Sequence, residues 1–376
     1  MTRFFTYYYG GMHSCYNRNR EAGYRINEWD LVKKSHSRIK PLLGYWDDSK
    51  PETLLNEIKI AEKYGVDGFI MNLYHNGEWP ELYKPINTFC KVSKDSKIMF
   101  ALNWCYRMPK RILPTPLEYN EKKVGHLIHD VTEEEKNITI KLSYKKIKKI
   151  AQFVSENYLC KKNYIKVNNK YYFSFDHITG LLRNYGFDGL NKILGEFRQA
   201  MRSYGFELHI VGLLSITSED EEYDYLIEKL DIDAVSAYCC LPDFKSKIHI
   251  QEYAKLSRKR VHEWALCKSK YYKHFYPAIA AGWDASARGE KGYHPKKHSL
   301  RFPWAPIVVN NSPQNFYVYL KEAMNFCKKN LSGENKIVIL GPWNEWSEGC
   351  YLLPDKKEGF GKLKVINKVK LEEVRS

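Results

Sequence analysis

No run of about twenty apolar residues occurs in the 376-residue chain, so no helix is written that spans a bilayer. The opening MTRFFTYYYGGM lacks an apolar h-region, which argues against a secretory signal. No Cys-x-x-Cys pair occurs among the nine cysteines, which removes zinc knuckles and thioredoxin-like dithiols. Their irregular spacing fits reduced thiols, and a cytoplasmic location is the expectation. Neither G-x-G-x-x-G nor G-x-x-x-x-G-K-[ST] follows an apolar segment, so dinucleotide and P-loop chemistry lose support. Zinc-finger, RNP and arginine-rich patterns are missing too, and no nucleic-acid partner is expected. No Gly/Ser tract marks a boundary, so one domain over residues 1–376 is predicted.

What is present describes a large folded protein. Hydrophobic residues make up 44% and aromatic residues 15%, which excludes a disordered chain. The net charge is +16. It gathers in lysine runs at Lys145, Lys146, Lys148 and Lys149, at Lys161 and Lys162, at Lys296 and Lys297, and at Lys328 and Lys329. Helical spacing makes these solvated faces, with weak contact to an anionic surface as the alternative.

Apolar runs and helical stripes alternate along the chain. Strands are predicted near residues 3–9, 66–74, 97–104, 169–176, 207–213, 234–238, 276–281 and 336–342. Pro51 opens a helix with Leu54, Leu55, Ile58 and Ala61 on one stripe, and Gly65 ends it. Continuous runs such as KIVILGP suit strands covered on both faces. Eight strands with crossover helices give the fold class: an α/β protein, a (β/α)8 TIM barrel. Long loops are expected at 107–142 and 282–312.

In such a barrel the site lies at the C-terminal strand ends. Those ends carry Tyr7, Tyr8 and Tyr9, then Asn72, Tyr74 and His75, then Asn103 and Trp104. Asp176 and His177, Tyr238, and Trp283, Asp284 and Arg288 follow. Trp343, Asn344, Glu345, Trp346 and Glu348 close the series. Aromatic faces stack on sugar rings while carboxylates, amides and arginine reach hydroxyls, so a glycan or polysaccharide is the expected partner. WNEWSEG at 343–349 is the sharpest element. Its Glu345 and Glu348 are three apart, a spacing that puts both on one face of a helical turn. Glycosidic cleavage uses two carboxyl groups about one bond, one of them kept protonated by burial and like charge. His294 and His298 do not sit on an H-E-x-x-H helix. No metal and no cofactor are expected.

The segments YGVDGFIMNLY (64–74), GWDASAR (282–288) and GPWNEWSEG (341–349) resemble the WbsX-type polysaccharide-cluster family. That family is similar to the glycoside hydrolase family 99 endo-α-mannosidases. The resemblance implies a (β/α)8 barrel and retaining cleavage of an α-linked, mannose-like sugar. It implies that Glu345 takes a proton from the sugar 2-hydroxyl, which closes an epoxide-like intermediate, and that Glu348 acts as general acid and then base. Asn344 would orient the first carboxylate or bind a hydroxyl. Tyr8, Tyr74, His75, Asn103, Trp104, Asp176, Tyr238, Trp283, Asp284, Arg288 and Trp346 would line the substrate site. A glycosyltransferase of surface-polysaccharide assembly and a non-catalytic glycan-binding barrel are the alternatives.

Overall fold

The computed structural model describes residues 1–13, 15–16, 25–26, 28–34, 40–106, 117, 142–214, 224–239, 241–270 and 273–375. The loop expected at 107–142 lies, apart from 117 and 142, outside them.

Eight strands form the frame: β1 (Arg3–Tyr8), β2 (Gly68–His75), β3 (Met99–Cys105), β4 (Lys170–Phe175), β5 (Leu208–Leu214), β6 (Ala234–Ala237), β7 and β8 (Ile337–Pro342). Strand β7 comes in two pieces, His274–Phe275 and Ala278–Ile279. All neighbouring pairs along the ring are parallel, from Phe5 opposite Gly68 in β1–β2 to Ala234 opposite His274 in β6–β7. The second piece of β7 then pairs with β8, Ala278 opposite Ile339, and β8 returns to β1, Ile337 opposite Arg3. Residues 274–279 thus join the two ends of the sheet, and the ring closes as the (β/α)8 barrel expected. Closure leaves no long edge strand exposed.

Helices α1 (Glu28–Lys34), α2 (Pro51–Tyr64), α3 (Lys84–Val92), α4 (Tyr144–Val154), α5 (Ile178–Ser203), α6 (Asp224–Lys229), α7 (Tyr253–Lys270), α8 (Pro313–Asn330) and α9 (Gly361–Arg375) accompany the strands. Helix α2 shows why the local signals work. Pro51 sits in its first turn, Leu54, Ile58 and Ala61 are buried, and Gly65 ends it at φ 79°, a left-handed conformation that glycine adopts without a Cβ clash. Helix α5 carries a kink at Gly186. The 282–312 excursion is structured by a 3-10 turn at Ala285–Arg288 and a short strand at Ile307–Val309.

Residue parity decides which side chains enter the barrel, because successive side chains in a strand point to opposite faces. Tyr7 turns inward, its ring 4.4 Å from that of Tyr238. Tyr8 turns outward onto Phe69 and the buried Glu57 of α2. Glu57 is 2% exposed and accepts a hydrogen bond from the Trp46 indole at 2.8 Å. Burial raises its pKa from the ordinary 4.5 to about 8. Between those values the folded chain holds a proton that the unfolded chain has lost. Stability therefore falls as pH rises from 4.5 to about 8. Glu57→Gln keeps an acceptor for Trp46 and removes this loss. It is expected to raise stability at pH 8 by roughly 2–4 kcal/mol and to flatten the pH dependence, read by urea denaturation at pH 5 and pH 8.

Candidate active site

The inward parity of five strands builds one continuous hydrogen-bonded chain across the mouth of the barrel. The Ser174 hydroxyl donates to Asn103 Oδ1 at 2.9 Å. Asn103 Nδ2 donates to Asn72 Oδ1 at 3.0 Å, and Asn72 Nδ2 to the Tyr238 hydroxyl at 2.9 Å. Tyr238 then donates to Glu345 Oε1 at 3.1 Å. Each acceptor in this chain passes the direction on, so Tyr238 has its proton committed to Glu345. Burial, followed by the Glu345 charge, raises the Tyr238 phenol well above its usual range and keeps it a donor.

Glu345 is 7% exposed, and its Oε2 has no hydrogen-bond partner among the described residues. Burial comes first and the neighbouring Glu348 charge second in pushing its pKa well above the usual carboxylate range. A buried oxygen with no partner demands a water or a ligand hydroxyl.

Glu348 sits in a different environment. It ends the 3-10 turn Trp346–Glu348, and its Oε1 accepts from Arg288 Nη1 at 2.7 Å. Arg288 also donates from Nε to the Ser347 hydroxyl at 2.8 Å and from Nη2 to Glu28 Oε1 at 3.2 Å. Burial disfavours the Arg288 charge, but Glu348, Glu28 and Glu345 outweigh it and hold the guanidinium above its ordinary value. The GWDASAR and WNEWSEG segments thus meet at one ionic knot. Their backbones meet as well, since Asp284 N donates to Glu348 O at 2.8 Å.

Gly349 makes that approach possible. Its φ is +60°, and a Cβ there would lie 2.6 Å from Asp284 N. Gly349→Ala is expected to lower stability by about 1–3 kcal/mol and to displace Glu348, measured as a shift in denaturation midpoint together with lost turnover.

The inward set therefore comprises Tyr74, Asn103, Asp176, Tyr238 and Glu345 from the predicted residues, with Arg288 and Glu348 at the rim. Tyr74 and Asp176 both act electrostatically on the Cys105 thiol, and Glu345 acts on Tyr74. Asp284 is committed to capping, accepting from Ser286 N at 3.0 Å. Trp283 packs edge-on against Phe244 at 5.5 Å.

Five expectations are corrected by geometry. Tyr8 faces α2, as described above. His75 packs with its ring tilted against Phe153 at 4.8 Å, accepts from Gly77 N, and is held neutral by burial, its pKa lowered to about 4. Trp104 donates to His75 O and stacks on Phe197 of α5. Trp346 is fully buried between Tyr351, at 3.9 Å, and Trp29. All four face the outer packing layer rather than the cavity, because each stands one residue out of phase with an inward neighbour or behind the hairpin. The fifth is Asn344, whose amide is used on the backbone, accepting from Tyr9 N at 2.9 Å and donating to Tyr9 O at 2.8 Å. It staples β1 to the motif instead of orienting a carboxylate.

Sequence reasoning passed over Glu28 and Ser174. Glu28 is fully buried and 260 residues from Arg288 in the chain, so no local pattern marks it. Ser174 is legible only as the inward residue of β4. Among the described residues no three His, Cys, Asp or Glu side chains converge as a metal site, and no helix is long and apolar enough to cross a membrane. A separate cavity of about 170 Å³ lies at the opposite end of the barrel, lined by Lys170, His209 and Asp233 among others. Asp233 there is already paired with Arg198 at 2.7 Å, and barrel chemistry belongs to the other end.

A protein-family profile described as Glycosyltransferase WbsX matches residues 5–366. Among solved structures, a glycoside hydrolase-like protein aligns with a TM-score of 0.62 and 16% identity, covering 98% of this chain and 93% of the other. The GH99 endo-alpha-mannosidase of Bacteroides thetaiotaomicron aligns with a TM-score of 0.58 and 12% identity, covering 99% and 97%. At these identities the likeness is one of fold. A curated relative, the uncharacterized protein WxcX of Xanthomonas campestris pv. campestris, is 27% identical over 85 residues. That match spans 23% of this chain and 10% of the relative.

Proposed function

The chain belongs to the WbsX glycosyltransferase family, and from that membership we propose that it is a carbohydrate-active enzyme that cleaves α-linked, mannose-like sugars with retention, using Glu345 and Glu348. The observation that carries this reading is the Glu345 carboxyl. It is buried, its pKa is raised by that burial and by Glu348, one oxygen is held by Tyr238 and the other has no partner among the described residues. Glu348, three residues on, is ion-paired with Arg288. A buried carboxyl of raised pKa beside a second one held by an arginine is an arrangement suited to acid–base cleavage of an acetal.

In this reading the sugar 2-hydroxyl approaches Glu345 Oε2, and Glu345 removes its proton as the 2-oxygen attacks the anomeric carbon. Glu348 protonates the departing glycosidic oxygen. It then takes a proton from the incoming water, whose attack on the anomeric carbon breaks the bond to the 2-oxygen, and Glu345 returns its proton to that oxygen. The raised pKa of Glu345 makes its carboxylate, once ionised, a strong base for the 2-hydroxyl. Tyr7 and Tyr74 supply the apolar faces beside the reacting ring.

A second reading is favoured by the family's description: the acceptor is another sugar rather than water. Screening a glycan library, with the anomer of each product followed by NMR, tests both. An α-configured free sugar is expected. Tight calorimetric binding of a nucleotide-sugar, with no release of free sugar from any glycan, overturns the hydrolase reading in favour of transfer.

A further inference from the structure

Two thiols that the acid–base chemistry leaves unused stand directly against the carboxyl pair. Cys239 Sγ and Cys350 Sγ are 2.9 Å apart and share a hydrogen bond. Both are free cysteines, Cys350 buried and Cys239 half-buried. Their neighbours are the site itself. Cys239 follows Tyr238, which holds Glu345, and Cys350 lies opposite Glu345 in a two-rung antiparallel hairpin. One thiol is thus anchored at the end of β6 and the other on the hairpin after β8. A disulfide needs its sulfurs at about 2.05 Å, so closure asks for a movement of about 0.9 Å.

We propose that Cys239 and Cys350 are a reversible oxidation site, closed by a low-molecular-weight disulfide such as glutathione disulfide, and that closure lowers turnover by shifting Tyr238 and the hairpin that carries Glu345. The more exposed Cys239 thiolate attacks the external disulfide and expels one small thiolate. Cys350 then attacks Sγ of the mixed disulfide at Cys239 and expels the second. The protein loses two electrons and two protons, and one external disulfide becomes two small thiols. The hydrogen bond to Cys350, and then burial, push the Cys239 thiol well up, while burial pushes Cys350 up. Both therefore rest as thiols, and the exchange accelerates with rising pH, since the thiolate is the nucleophile.

The effect on turnover rests on the proposed function; formation of the bond does not. The experiment treats the full chain with glutathione disulfide at pH 8.5 and follows intact mass, peptide map and melting temperature, with turnover on the glycan found by the screen. Expected are a two-hydrogen mass loss, a cross-linked peptide joining Cys239 to Cys350, a raised melting temperature and a turnover lower by about ten- to a hundred-fold, the scale of a misplacement near 1 Å. Dithiothreitol reverses all four. Cys239→Ser gives no cross-link and no response of melting temperature or turnover to the oxidant. Absence of that cross-linked peptide overturns the site, and a cross-linked protein with undiminished turnover overturns the switch. If no glycan is turned over at all, the functional reading fails on its own, while mass and melting temperature still decide the disulfide.

Discussion

Glu345→Gln and Glu348→Gln are each expected to lower turnover by about 10²–10⁴-fold, the share of a positioned acid or base. Their effects on stability differ. Gln at 345 removes a buried carboxyl whose ionised form burial and Glu348 disfavour, and it still accepts from Tyr238, so the melting temperature stays or rises. Gln at 348 takes one of two carboxylates from Arg288, leaving Glu28 at 3.2 Å as its remaining ionic partner, so stability drops modestly. Substrates with activated aryl leaving groups separate the two roles. A departing phenolate needs little protonation, so such a substrate rescues the general-acid variant, expected to be Glu348→Gln, and not its partner. Rescue of Glu345→Gln instead would exchange the assignments. Wild-type rates in both variants on the natural glycan would remove these residues from the chemistry altogether.

Loss of Arg288 is the second large effect. Its guanidinium spends Nε on Ser347, Nη1 on Glu348 and Nη2 on Glu28, and Glu28 is fully buried. Arg288→Met leaves that carboxyl without its cation. Breaking a buried ion pair from one side costs about 3–5 kcal/mol, and chemical denaturation should read a loss of that size. Turnover should fall with it, because Glu348 loses the contact that sets its position. Arg288→Lys should recover little, since one ammonium cannot reproduce a planar three-way fork. Arg288→Met with Glu28→Gln should recover much of the stability and none of the activity. That split distinguishes a burial penalty from positioning of Glu348. Unchanged stability in Arg288→Met would show that the knot does not hold the site together.

Much of this was written locally in the chain. Proline at a first turn, a left-handed glycine at a last one and apolar runs such as IVIL each act within a few residues, so the alternation of elements and the barrel that closes them were legible. The motif positions were legible for the same reason: WNEWSEG directly follows the apolar run KIVILGP, so both carboxyl groups fall at a strand end. Phase was not. Barrel strands are apolar or aromatic on both faces, so Tyr7 and Tyr8, Tyr74 and His75, or Asn103 and Trp104 look equally suited to a sugar. Only closure of the ring determines which of each pair enters the cavity and which packs under a helix. Long-range partners were equally hidden. Glu28 meets Arg288, Asn72 meets Tyr238 and Cys239 meets Cys350 because strands distant in sequence are brought to one rim, and no spacing along the chain encodes that encounter.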